Sequence, residues 1–357
     1  MRMNRIERLK KSMEGKGEFA LISPGSNFYY LTDLNIMGSM ERLFLLVVPL
    51  DSEPFIIAPE LYGESLHESG LEIELWKDGE NPYLSLKKRL NLKNKIFFVE
   101  DSLPSVMLME IMKNIPGSKF HPLSSIISSL RMIKEQEEIE YLKKAAYIAD
   151  MVFKKIIGED ILRMSEKEIA SLIEEYIQDF GGDSKSFDAI VAKGKNTADP
   201  HHIPGNSRDS IGPIILDFGA KYRGYCSDIT RTLFLERVTE REKEIYSIVR
   251  EAQERAIFKV LPGIRALDID KAAREYISEK GYGEYFIHRT GHGIGLDVHE
   301  EPFINNVNPI PLQNGMVFTV EPGIYIKGDF GIRIEDDVLV DNKQVILTKA
   351  EKDIIVI

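Results

Sequence analysis

The apolar positions of this chain change rhythm partway along it. Up to about residue 125, short apolar runs alternate with helical spacings. Ile6, Leu9 and Met13 recur at three- and four-residue intervals and predict a surface helix. The runs at 19–23, 43–48, 55–58 and 96–99 read as strands, and 61–67, 84–90 and 106–113 as helices. Alternating elements of these lengths predict an α/β layer domain. It carries no phosphate loop or cofactor signature, so a structural or oligomerising role is expected of it. The segment 128–134 has no clear period and leads into a long helix whose stripe is Ile139, Leu142, Ala146, Ala149, Val152 and Ile156. The domain boundary is placed just before it, giving domains 1–127 and 128–357. Capping boxes at Ser165/Glu168 and Thr239/Glu242 announce two more helices, and another is expected near Asp268. From 212 onward, β patterns with Gly-containing turns dominate. The second domain therefore reads as α+β, an antiparallel sheet flanked by helices.

Composition narrows the function. Of the 357 residues, 43% are hydrophobic and 29% charged, as in soluble globular proteins. The net charge of −11 argues against nucleic acid, whose binding needs clustered Lys and Arg, but leaves neutral or cationic small substrates open. No apolar run approaches the roughly 18 residues of a membrane span, so no membrane partner is expected. The stretch from Met1 to Phe19 lacks the apolar segment of a signal peptide. Cys226 is the single cysteine, which excludes an intrachain disulfide framework and suits a cytoplasmic location. Abundant Glu and Lys with scarce Cys would also suit a thermophile.

The chemistry concentrates in the second domain. Five of the seven histidines, His201, His202, His288, His292 and His299, fall within about a hundred residues. Asp217, Glu321 and Glu335 each end an apolar run, where a carboxylate is costly unless paired or metal-bound. Asp217 and Asp228 are symmetric about the point between Tyr222 and Arg223, which predicts a hairpin with the two Asp directly opposite. Glu321 and Glu335 are symmetric about Gly328 and are expected to be cross-strand neighbours as well. Two such hairpins hint at an internal duplication. Four clustered carboxylates repel strongly unless neutralised. Two divalent cations would do so, and an oxygen-rich set with one imidazole suits Mn²⁺, Co²⁺, Fe²⁺ or Zn²⁺. On spacing alone, buried salt bridges remain an equal alternative.

The motifs are more specific. Leu216-Asp217-Phe218-Gly219, Ser227-Asp228-Ile229-Thr230-Arg231-Thr232, Gly291-His292-Gly293-Ile294-Gly295-Leu296-Asp297-Val298-His299-Glu300, Val320-Glu321-Pro322-Gly323-Ile324-Tyr325 and Gly331-Ile332-Arg333-Ile334-Glu335-Asp336 occur in that order. They resemble the pita-bread metallopeptidases, prolidase (Xaa-Pro dipeptidase) first and aminopeptidase P close behind. The resemblance is strong from about 140 to 357. Before that it rests on the architecture of a smaller creatinase/prolidase-like domain.

The resemblance implies two divalent ions per chain, with Mn²⁺ or Co²⁺ foremost. Asp217 would chelate one ion, Asp228 and Glu335 would bridge both, and His292 and Glu321 would complete the second. It implies that His201, in Asp199-Pro200-His201-His202, contacts substrate near the scissile bond, while His202 has no counterpart role and reads as a packing or surface residue. His299 would stabilise the tetrahedral intermediate, His288 would line the substrate pocket, and Glu321 would also carry a proton. Arg333, two before Glu335 and so on the same strand face, suits a substrate carboxylate or a charge-balancing pair with a ligand. Cys226 is expected to pack rather than react. The implied reaction is hydrolysis of Xaa-Pro dipeptides by a metal-activated hydroxide, with a homodimer as the implied assembly. Aminopeptidase P action on longer peptides is the alternative enzyme. Methionine aminopeptidase usually lacks a preceding domain. A non-catalytic peptide- or nucleic-acid-binding relative is disfavoured by the intact ligand set and the acidic charge.

Overall fold

The computed structural model describes residues 2–36, 38, 41–89 and 94–357, with the side chains of residues 2 and 3 outside that description. Leu90, the last position of the helix expected at 84–90, also lies outside the described residues. The chain divides into two compact units, Met1–Arg131 and Met132–Ile357. The helix Ser124–Met132 runs through the expected 127/128 boundary.

In the first unit, strands β1 (Phe19–Ile22), β2 (Leu45–Pro49), β3 (Phe55–Pro59), β4 (Glu72–Trp76), β5 (Ile96–Val99) and β6 (Lys119–Pro122) form one sheet in the order β4-β3-β2-β1-β5-β6. The β1–β2 and β2–β3 pairs are antiparallel and the others parallel. The four strands expected from apolar runs are the inner ones. The edge strands β4 and β6 leave most of their side chains partly or fully exposed, so they carry no apolar run to recognise. Helices Pro82–Arg89 and Ser105–Asn114 lie where expected, while 61–67 breaks into a short α segment between two 3₁₀ turns. The stripe Ile6, Leu9 and Met13 of helix Arg2–Met13 is fully buried. Leu21, Leu45, Val47, Ile57, Phe97 and Ile111 share the core, each such side chain contributing about 1.5–3 kcal/mol of transfer free energy.

The second unit is built twice over. Helices Gln136–Ile156 and Glu166–Asp179 cover a sheet of Ile190–Lys193, Gly212–Phe218 and Ile229–Leu235. Ile148, Val152, Ile169 and Ile173 meet Ile214, Leu216 and Leu233 in that core. Helices Glu240–Phe258 and Ala266–Glu279 cover a second sheet of Gly291–Gly293, Glu300–Ile304, Val317–Val320, Asp336–Asp341 and Lys343–Ile346. There Ile245, Val249, Ile269 and Ala273 meet Phe318, Val320 and Val338. The strand pairs of both sheets are antiparallel. Both capping boxes form: Glu168 and Glu242 each accept from the backbone N–H of their cap residue, at 2.6 Å.

Candidate metal centre

Two hairpins of the second unit carry the four carboxylates, and they close differently. In the first, Lys221 pairs with Cys226 and Tyr222 with Tyr225, leaving Arg223-Gly224 as the turn. Both turn residues have positive φ, 50° and 80°, the geometry of the two-residue turn that matches strand twist. The hairpin is therefore centred between Arg223 and Gly224, not between Tyr222 and Arg223. Asp217 faces Thr230 rather than Asp228, which corrects the expected pairing. Gly224 tolerates left-handed backbone freely, so the turn settles there and shifts the register. Asp228, two before Thr230, becomes a diagonal neighbour of Asp217 on the same face. Gly219 allows the close approach alongside, since a Cβ there would lie 1.8 Å from the Ser227 carbonyl oxygen.

The second hairpin keeps its expected register. Val320 pairs with Asp336 and Gly323 with Arg333, both symmetric about Gly328 at φ 80°. Glu321 and Glu335 thus fall opposite each other.

All nine expected site residues line one cavity of about 700 Å³: Asp217, Asp228, His292, Glu321, Glu335, His201, His288, His299 and Arg333. His292 Nε2 is 3.4 Å from Glu321 Oε1 and 3.7 Å from Asp228 Oδ2. With Nδ1 donating to the Gly293 carbonyl at 3.2 Å, Nε2 presents its lone pair to these acids. Asp228, His292 and Glu335 each offer a ligand atom within 4.8 Å of the others. Asp217 Oδ1, Asp228 Oδ1 and Glu335 Oε1 are buried with no hydrogen-bond partner.

Electrostatics mark the same residues. Burial, then Glu335 and Asp217, pushes the Asp228 carboxyl well above the usual range. Burial, then Glu321 and Asp217, does the same to Glu335. Burial lifts Glu321 to about 7 against the pull of Arg333. Burial depresses His292 to about 3, keeping it neutral as a ligand must be. Asp336 next door behaves oppositely. Arg231 Nη2 and Lys352 Nζ each reach it at 2.7 Å and outweigh burial, so its carboxyl is held below the usual range. Asp336 is thus neutralised by salt bridges. Asp217 pairs with Arg333 through Oδ2 only, and the orphaned Oδ1 of Asp217, Oδ1 of Asp228 and Oε1 of Glu335 fit divalent cations, which the oxygen-rich, single-imidazole donor set suits.

The remaining residues sort by their partners. Arg333 donates from Nε to Thr230 Oγ1 (3.0 Å) and from Nη1 to Tyr325 Oη (2.8 Å), and its Nη2 pairs with Asp217. His288 has Nδ1 at the Arg289 carbonyl (2.7 Å) and Nε2 at Tyr325 Oη (2.9 Å). The His299 ring meets His292 edge-on with centroids 4.2 Å apart. His201 lines the cavity, whereas His202 turns to Glu166 Oε2 at 2.8 Å. Cys226 is buried beside the Leu296 carbonyl, and burial pushes its thiol up to about 12, so it offers no thiolate. Sequence reasoning missed Thr230, Tyr325, Arg289 and Asp337. Asp337 Oδ2 accepts the backbone N–H of Asp228 at 3.1 Å. Its signal was present in three consecutive acids, Glu335, Asp336 and Asp337, entering an apolar strand.

A cage of buried acids with one neutral imidazole, on paired hairpins backed by helix pairs, marks a centre for divalent metal. Residues 140–342 match metallopeptidase family M24, and residues 5–133 match the Creatinase/Prolidase N-terminal domain. A prolidase from Thermococcus sibiricus is 45% identical, covering 100% of this chain and 99% of that one, with a TM-score of 0.97. A dipeptidase from Pyrococcus horikoshii is 46% identical over 99% and 100%, with a TM-score of 0.94. An Xaa-Pro dipeptidase from Bacillus anthracis is 35% identical over 100% of both chains, with a TM-score of 0.91. The chain belongs to metallopeptidase family M24 and is a peptidase with a creatinase-type N-terminal domain ahead of a pita-bread domain. Family membership implies divalent metal and a peptide substrate. Among the described residues, no helix is long and apolar enough to cross a membrane.

Proposed function

We propose that this chain is a two-metal dipeptidase that cleaves the bond before proline in Xaa-Pro dipeptides. The observation that carries this reading is the set of buried, unpartnered oxygens of Asp217, Asp228 and Glu335 at one cavity wall. Asp217 would hold one ion, Asp228 and Glu335 both, and His292 and Glu321 the second. Bound there, such ions lower the pKa of a water toward neutrality and polarise the peptide carbonyl. The chain's own groups do the rest. Glu321, at the cavity wall, would also take up a proton from the attacking water. His299, whose pKa burial lowers, would donate an N–H to the developing oxyanion. His201 faces the departing amine. A bond before proline is a tertiary amide without N–H, so a pocket that makes no demand on that hydrogen specialises in it. The names of the Thermococcus sibiricus and Bacillus anthracis proteins support this substrate class.

The test is a panel of Xaa-Pro, Xaa-Pro-Yaa and Met-Ala peptides, assayed after chelation and reloading with Mn²⁺, Co²⁺ or Zn²⁺. Xaa-Pro with Mn²⁺ or Co²⁺ is expected to be fastest. Faster cleavage of Xaa-Pro-Yaa would replace the dipeptidase by an aminopeptidase. Elemental analysis of fully active enzyme showing less than one equivalent of metal would remove the two-ion reading.

A further inference from the structure

A dipeptidase must sense that its substrate ends one residue beyond the scissile bond, and a cation facing the cavity is suited to read the terminal carboxylate. Among the described residues, Arg333 and Arg289 are the Arg and Lys side chains that line it. Arg333 is already engaged. Its Nε and both Nη groups serve Thr230, Tyr325 and Asp217, with Nη1 also 3.4 Å from the Pro200 carbonyl, and it is 3% exposed. His288, which the resemblance implies lines the substrate pocket, has both ring nitrogens in hydrogen bonds, and burial holds it down to about 3, so it brings no charge.

Arg289 is different. Its guanidinium makes no hydrogen bond or ion pair among the described residues. It lies over the Phe303 ring, 4.4 Å from the centroid, and half-buried at the cavity wall. Stacking holds the planar fork by its face and leaves the edge N–H donors free. A partly desolvated cation with no hydrogen-bonded acceptor is costly unless an anion completes it. Its nearest acidic influences are Glu321, a proposed ligand, and Glu301, whose Oε2 accepts the backbone N–H of Phe303 at 2.9 Å. Burial pulls the Arg289 pKa down and these two acids only partly restore it.

We infer that Arg289, stacked on Phe303, binds the C-terminal carboxylate of the dipeptide and sets the preference for substrates that end at proline. This rests on the dipeptidase reading above. The experiment compares Ala-Pro with Ala-Pro amide, which removes the negative charge and replaces one acceptor oxygen by an NH2 group, in metal-loaded wild type, Arg289→Gln and Arg289→Lys. Wild type is expected to prefer the acid. Arg289→Gln should lower kcat/KM for the acid by about 10- to 100-fold and change the amide by no more than about twofold, erasing the preference. Arg289→Lys should recover part of it, because the point charge returns without the fork. Metal content and thermal midpoint are followed in parallel. If Arg289→Gln keeps the acid preference, Arg289 does not read the carboxylate, and if it loses acid, amide and metal together, Arg289 serves Glu321 instead; in either case the inference fails while the dipeptidase stands. If wild type cleaves Ala-Pro-Ala faster than Ala-Pro, the dipeptidase reading fails and the inference with it.

Discussion

The two carboxylate hairpins look equivalent in sequence but differ in space. The second folds about Gly328, so Glu321 and Glu335 stand opposite, as their symmetry predicts. The first folds about Arg223-Gly224, so Asp217 faces Thr230, with Asp228 displaced diagonally. The vacated position is put to use. Thr230 Oγ1 donates to Glu335 Oε2 at 2.5 Å and accepts from Arg333 Nε at 3.0 Å. Arg333, on the second hairpin, in turn pairs with Asp217 on the first. Each hairpin thus orients a carboxylate of the other. Alongside run a backbone bond from Glu335 N–H to the Thr230 carbonyl at 3.1 Å and a bond from the Arg333 backbone N–H to the side-chain Oγ1 of Thr232 at 3.1 Å. A shift of register that leaves two acids misaligned as a pair therefore supplies a hydroxyl that ties the two halves together.

The comparison can be broken hardest at Glu335. Glu335→Ala removes the carboxylate both hairpins orient. It should lose at least one metal ion and most activity, and the gap in thermal midpoint between loaded and chelated protein should shrink, since ligand at about 1,000 times its Kd adds about 4 kcal/mol. His299→Ala should instead keep both ions and the wild-type midpoint while lowering kcat about 10²–10³-fold, with a smaller change in KM. Metal loss in His299→Ala would place it among the ligands and redraw the site.

Removing the metal exposes the repulsion between the hairpins. In metal-free protein, Glu321 has its pKa raised from 4.5 to about 7 by burial, so the folded state holds a proton that the unfolded state releases. Its contribution to stability is complete below the unfolded value and is lost as pH rises through about 7. Urea midpoints of chelated protein should fall across that window. A flat profile would show that the acids relax apart.

Thr230→Val tests the cross-brace with little change of volume. It leaves two buried polar groups short of a partner and should cost about 1–3 kcal/mol, lowering the midpoint with and without metal. An effect confined to the loaded enzyme would mean that the hydroxyl serves the ions rather than the hairpins. The smallest expected effect is at the turn. Gly224 has φ 80°, so Gly224→Ala should cost about 1–2 kcal/mol and leave metal content unchanged.

Most of this architecture is visible along the chain where one local rule governs. The inner strands 19–22, 45–49, 55–59 and 96–99 announce themselves because burial on both faces demands apolar runs. The capped helices announce themselves because a side chain three residues on satisfies the free backbone donors. The edge strands at 72–76 and 119–122, and the helix Ser26–Thr32, were silent, since partial exposure or short length leaves no period to read.

The site divides in the same way. By itself, the sequence determined which residue types had to be neutralised: acids ending apolar runs cannot be buried as bare charges. The five ordered motifs, through their family resemblance, then implied Asp217, Asp228, His292, Glu321 and Glu335 as one ligand set, and these residues line one cavity. The sequence could not say that Asp336 is satisfied by Arg231 and Lys352 while its neighbour Glu335 is left with an orphaned oxygen, because that depends on which face of one strand meets which distant segment. Nor could it say that His202 turns to Glu166, that Thr230 stands where Asp228 was expected, or that Arg333 is engaged while Arg289 is not. Those choices were made by turn geometry and by packing between segments about a hundred residues apart, where a one-residue shift changes every partner across a hairpin.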